Sequence, residues 1–220
     1  MIPGPEGALE ARYHAIPTHS KAPIVLIVPP HPEQEGTMDH PVVHTLFRTF
    51  ASLEFNVLRF NFRGIGKSQG TFAHTEGEVA DAAACLDWIQ NKNLTPPQCW
   101  VVGFSFGAYV ALQLLMRRPE CYSFVAVSPL CNMYDFNFLA PCPTPGLVVH
   151  GDLDDMTPKE SVIRLVHQLS IQKKGHKINL QLIPGGDHTF SDQLRSLESI
   201  VYDYVSKELE TPSQPSSSMA

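Results

Sequence analysis

The chain has 220 residues, enough for one ordinary domain with a sizeable core. With 43% hydrophobic and 17% charged residues, its composition is that of a globular protein and excludes a disordered one. A formal charge of −6 argues against nucleic acid or an anionic membrane as the main partner, because both require clustered Lys and Arg.

Residues 23–28 (PIVLIV) form a short apolar run, the pattern of a strand covered on both faces. Residues 41–53 place Val43, Leu46, Phe47 and Phe50 at helical spacing, with Asp39 positioned to cap the helix. A strand over 55–62 (FNVLRFNF) runs into the turn Arg63-Gly64-Ile65-Gly66. The next helix, 76–90, gathers Val79, Ala82, Ala83, Leu86 and Ile89 on one side. Strand 98–104 leads directly to helix 106–116, which Arg117-Arg118-Pro119 stops. Strand 122–127 (YSFVAV) is followed by a loop rich in Pro and aromatics, 129–145, and by strand 146–150 (GLVVH). Helix 159–170, strand 177–183 (KINLQLI) and helix 191–208 complete the pattern. Strands separated by helices pair in parallel through right-handed crossovers. The expected architecture is a three-layer α/β/α sandwich with a mostly parallel, doubly wound sheet. We expect one domain over 1–210 and a disordered Ser/Pro-rich tail over 211–220.

The five cysteines form no C-x-x-C pair, which argues against a structural zinc site, and their odd number favours reduced thiols. The start MIPGPEGALEARYH lacks the basic and apolar regions of a signal peptide, and no run reaches the length of a membrane span. These features point to a soluble, cytoplasmic protein with a small-molecule substrate and neither a nucleic-acid nor a membrane partner. The oligomeric state, monomer or homodimer, is left open.

In WVVGFSFGAYV, Ser105 sits between two glycines with a strand before it and a helix after it. Only the serine separates the two elements, so its backbone must bend sharply. That G-x-S-x-G arrangement is the nucleophile elbow, which lifts a serine oxygen above a sheet beside the positive end of a helix. A serine hydroxyl needs a base, and the base needs an orienting carboxylate. On such a sheet they follow in the order Ser, Asp or Glu, His, in loops after later strands. GDLDDMTP follows strand 146–150 and PGGDHTF follows strand 177–183, so both loops leave the same sheet edge as the elbow. His188 is the histidine expected to act as base. Three aspartates compete in the first loop: Asp155 stands where it could cap the next helix, Asp152 where it could brace the turn, and Asp154 between them. His14, His19, His40, His44, His167 and His176 read as surface or packing residues.

Taken together, GFSFGAYVAL, HGDLDDMTP, GGDHTF and LRFNFRGIGKSQGTF resemble the α/β-hydrolase superfamily, and more narrowly its small, lidless members of dienelactone-hydrolase-like or serine-aminopeptidase-like type. The likeness runs from about residue 22 to residue 209. It implies a serine hydrolase in which the HGxxDxxxP pattern makes Asp154 the acid, completing the set Ser105, Asp154 and His188. It also implies an oxyanion hole formed by the amide of Phe106 and one from the loop after the first core strand. Relatives carry His-Pro-His-Pro there; this chain has Pro29-Pro30-His31-Pro32, and proline has no N–H. His31 is therefore the candidate for the second amide, with packing against the elbow as its other reading. Arg63, Gly64 and Gly66 resemble the family's D-x-R-G-x-G-x-S stretch with Asn61 in place of Asp, and Arg63 is read as a tie between loops. His74 and Glu78 join that network or simply start a helix.

The segment 129–145 is too short for a lid domain, so Tyr134, Phe136 and Phe138 are expected to form one wall of an open cleft. The implied reaction is cleavage of a carboxylic ester or thioester of a small soluble substrate, with no metal or organic cofactor. A peptidase or amidase with the same three residues is the close variant, and a non-catalytic binding protein of the same fold is the alternative from another class. A dienelactone-type enzyme would carry cysteine where this chain has Ser105.

Overall fold

The computed structural model describes residues 1–17, 21–34, 36–93, 96–172 and 175–210. The tail expected to be disordered (211–220) and His19 lie outside the described residues. In chain order the strands are β1 (Ile2–Gly4), β2 (Gly7–Leu9), β3 (Ala11–His14), β4 (Ile24–Val28), β5 (Asn56–Phe60), β6 (Cys99–Phe104), β7 (Cys121–Val127), β8 (Gly146–Gly151) and β9 (Ile178–Ile183). The helices are α1 (Pro41–Ser52), α2 (Glu76–Lys92), α3 (Phe106–Leu115), α4 (Lys159–Ser170) and α5 (Leu194–Glu210). Short 3₁₀ turns follow β4 (Pro32–Gln34) and interrupt the loop after β7 (Asn137–Leu139).

Seven strands form one sheet in the order β3-β5-β4-β6-β7-β8-β9, parallel except for the β3–β5 pair. Strand side chains alternate between the two faces, and each face has its own core. Leu26, Val101, Phe124 and Val148 pack under α2, α3 and α4, whereas Val25, Ile27, Trp100, Val102 and Val149 pack under α1 and α5. Every residue of β4 and β6 is buried, which explains why they read as continuous apolar runs. The three-layer, mostly parallel architecture expected from the sequence is the one found.

Two expectations need correction. The sequence reading placed no strand before residue 23, yet β3 pairs antiparallel with β5 as the sheet's edge, and β1 and β2 form a separate hairpin. Asp39 does not cap α1: its carboxylate pairs with Arg59 at 2.7 Å. The cap is His40, whose Nδ1 accepts the Val42 amide at 3.2 Å. Among the described residues, no helix is long and apolar enough to cross a membrane.

Candidate active site

Residues from three sheet-edge loops meet above β6. Ser105 joins β6 to α3 with φ 58° and ψ −120°, a left-handed conformation that costs a non-glycine residue about 1–3 kcal/mol. Its amide donates to the Val127 carbonyl at 2.8 Å, which ties the bend to β7. The flanking glycines are required by close approach. A Cβ on Gly107 would lie 2.3 Å from the Pro29 carbonyl oxygen, and one on Gly103 would lie 2.1 Å from that of Gly107. Helix α3 can therefore start directly against the end of β4 only with these two residues bare.

The Ser105 hydroxyl lies 2.9 Å from Nε2 of His188, and Nδ1 of His188 lies 2.8 Å from Oδ2 of Asp154. An ionised carboxylate can only accept, so Nδ1 carries the hydrogen and Nε2 is left free to accept from the hydroxyl. All three residues are buried. Burial alone would raise the Asp154 pKa, but the bonds from His188 and Thr157 outweigh it and hold the carboxyl below its ordinary range. Oδ1 accepts the amides of Met156 and Thr157, both at 2.9 Å, in a tight turn that aims Oδ2 at the histidine. The two other aspartates take the minor roles: Asp152 accepts the Gly185 amide and so braces the acid loop against the histidine loop, and Asp155 is exposed. Ser128, which sequence reasoning passed over, sits at φ 44° after β7 and donates to the His188 carbonyl at 3.0 Å. Its signal was only the tight strand end at Ser128-Pro129.

Phe106 opens α3, so its amide has no carbonyl partner within the helix. The His31 ring packs edge-on against Phe72 and Phe106, with centres 4.9 Å apart in each case. The His31 carbonyl accepts the Gly36 amide at 3.2 Å. Of the three expected cleft aromatics, Tyr134 reaches the elbow: its ring centre is 5.6 Å from that of Phe106 and 4.7 Å from that of Tyr109. Phe136 and Phe138 stand one layer farther out, stacked on each other and against Tyr109. Phe136 is 4% exposed and is largely a core residue. Tyr134 and Phe136 also line a cavity of about 370 Å³ between the 131–137 loop and α4, together with Asn132 and Arg164.

Arg63 ties loops together, as expected. Its fork holds Asp81 through Nε at 3.0 Å and Nη2 at 2.8 Å, and its Nη1 pairs with Glu6. Asn61 accepts the Met38 amide and donates to Glu10, linking the loop after β4 to the N-terminal strands. Glu78 is fully buried and caps α2 through the Ala73 and Thr75 amides, while His74 is exposed beside Phe72.

Three imidazoles near the site, His31, His40 and His150, have depressed pKa values, in each case chiefly because burial disfavours the charged ring. The unfolded chain binds protons at these rings more readily than the folded one, so stability falls as pH drops below the ordinary imidazole value of 6.5. The lowered Asp154 carboxyl adds to the loss further down, below 3.8. Urea midpoints should therefore be lower at about pH 5 than at about pH 8; equal midpoints would contradict this coupling.

Comparison with known proteins gives the family and the fold. The model of the alpha/beta hydrolase fold family matches residues 23–145. An uncharacterized protein of Rickettsia prowazekii is 45% identical over 205 residues, covering 92% of this chain and 86% of its own. The crystal structure of a protein of unknown function from Agrobacterium tumefaciens superimposes with a TM-score of 0.89 at 46% identity, covering 94% of both chains. A lidless α/β serine hydrolase from Xanthomonas campestris gives 0.85 at 28% identity, covering 97% of this chain and 94% of its own. With an elbow serine, a mostly parallel sheet and relatives of this kind, the chain belongs to the α/β-hydrolase family.

Proposed function

We propose that this protein is a serine hydrolase that cleaves a carboxylic ester or thioester of a small soluble substrate through an acyl-enzyme. The observation that carries the reading is the continuous relay from the Ser105 hydroxyl through His188 to Asp154, at 2.9 and 2.8 Å. Ser105 attacks the carbonyl carbon as its proton passes to Nε2 of His188, and Asp154 stabilises the imidazolium that forms. Negative charge then develops on the carbonyl oxygen, where the amides of Phe106 and His31, two residues whose rings pack against each other, are the donors we assign to the oxyanion. His188 returns the proton to the departing alkoxide or thiolate. In the second half it takes a proton from water, whose oxygen attacks the acyl carbon and frees Ser105. Tyr134 offers the nearest aromatic wall for the substrate's apolar part, with Phe136 and Phe138 behind it. The chain's net charge of −6 is consistent with a small-molecule substrate rather than a polyanion.

A fluorophosphonate probe tests the reading. Wild-type protein should be labelled and Ser105→Ala should not; a folded, unlabelled wild type would sink the proposal in favour of a binding protein. Nitrophenyl esters of increasing acyl length, run beside thioester and aminoacyl substrates, then identify the bond cleaved and the size of the cleft.

A further inference from the structure

A second imidazole stands behind the carboxylate. His150, near the end of β8, is completely buried, and its Nε2 lies 2.9 Å from the Thr157 carbonyl oxygen. A carbonyl only accepts, so Nε2 carries the ring hydrogen. In the neutral ring Nδ1 then holds nothing but a lone pair. That nitrogen has no hydrogen-bond partner among the described residues and sits 3.6 Å from Oδ2 of Asp154, the oxygen that His188 uses. Thr157 thus acts twice on the same turn: its amide occupies Oδ1 of Asp154, and its carbonyl selects the tautomer of His150.

We propose that His150 is a positioning residue of the hydrolytic site, locked by Thr157 so that a hydrogen-free nitrogen faces Asp154 and His188 remains the sole side-chain donor on Oδ2. The inference rests on the hydrolase reading given above. A buried ring nitrogen left unpaired is costly, and such exceptions call for a cause. Here the cause is the exclusion of a competing donor. A second proton on Nδ1 would reverse the arrangement, because the new N–H would draw Oδ2 away from His188. The charges acting on His150 are Asp154 and, across that carboxylate, His188. Burial keeps the second proton off. Acidification that protonates His150 therefore disables the relay from behind its carboxylate.

Two variants separate the ring's nitrogens. His150→Gln retains a donor for the Thr157 carbonyl and puts no nitrogen near Oδ2. The acid limb of its kcat/KM profile should fall with a slope of about one where the wild type approaches about two. His150→Asn brings an amide N–H within reach of Oδ2 and abandons Thr157; kcat should drop about tenfold to a hundredfold with KM unchanged. A wild-type slope equal to that of His150→Gln, or full kcat in His150→Asn, would overturn the proposal. Should either variant fail to fold, long-range proton–nitrogen NMR of the wild type decides alone. His150 should carry its hydrogen on Nε2 and His188 on Nδ1, and a His150 ring protonated at Nδ1 at neutral pH defeats the inference. Absence of turnover in the wild type would defeat the hydrolase reading; turnover with the wrong His150 tautomer would defeat this proposal alone.

Discussion

Ser105→Ala is expected to lower kcat for ester hydrolysis by about a million-fold, leaving only what binding and the oxyanion donors supply. Alanine keeps the Cβ that meets the strain of φ 58°, so the variant should fold with the same bend and nearly the same stability. Glycine at this position should be equally inactive but more stable than alanine by about 1 kcal/mol, because it adopts positive φ without the Cβ penalty. The pair of variants thus measures two quantities at one residue: the hydroxyl's chemistry from kinetics and the stored strain from urea midpoints. Should Ser105→Ala keep a hundredth of wild-type activity, the acyl group must reside elsewhere. A glycine variant less stable than the alanine one would show that the surrounding strands do not force the bend.

Asp81→Ala should be the most destabilising of the changes considered, at about 3–5 kcal/mol, a large share of the total stability of an ordinary domain. The side chain of Asp81 is 0% exposed and that of Arg63 3%, so removing the carboxylate strands a buried guanidinium that keeps the half-exposed Glu6 as its ion-pair partner. The backbone amide of Arg63 loses its acceptor as well, since it too donates to Asp81, at 3.0 Å. Replacing both partners together, Arg63→Met with Asp81→Leu, should recover most of the loss, because a buried pair contributes less than a broken one costs. Chemical denaturation of the single and double variants measures the cycle. A single-variant loss below about 1 kcal/mol would mean that water reaches the arginine. The loop that Arg63 holds also carries Phe62 and Phe72, both packed on Phe106, so activity should weaken along with stability.

Long apolar runs made most of the sheet legible in advance. Strands β4, β6 and β8 are covered on both faces, and a strand in that position has few ways to be anything but hydrophobic. Helix α4 was bounded correctly because its apolar stripe, Val162, Leu165, Val166 and Leu169, repeats at the helical period and ends in solvent-facing residues. Strand β3 was invisible for the opposite reason: ARYH is short, polar and half-buried, and only its antiparallel pairing with β5 makes it a strand. The cap of α1 was decided by Arg59, which lies 20 positions from Asp39 in sequence and draws its carboxylate away.

At the site, Ser105 and His188 were legible from glycine frames placed after apolar strands. Choosing among Asp152, Asp154 and Asp155 was not possible from periodicity, since a turn of three acids does not reveal which one points inward. The choice rested on family resemblance, and the structure places Asp154 against His188 through two amide bonds within its own turn. His150 and Ser128 were missed because each acts through contacts that exist only after folding. A histidine at the head of HGDLDD was the available clue, and it was read as the end of a strand. Phe136 was placed on the cleft wall from its aromatic character alone, whereas most of its surface serves the core.

His188, the base of the proposed reading, lies 83 residues after Ser105, and α5 must then close over Trp100. A ribosome that has just released the elbow has made a bent serine with nothing to take its proton. On the proposed reading, truncated products ending anywhere before His188 would hold the bent serine without its base and would be chemically mute.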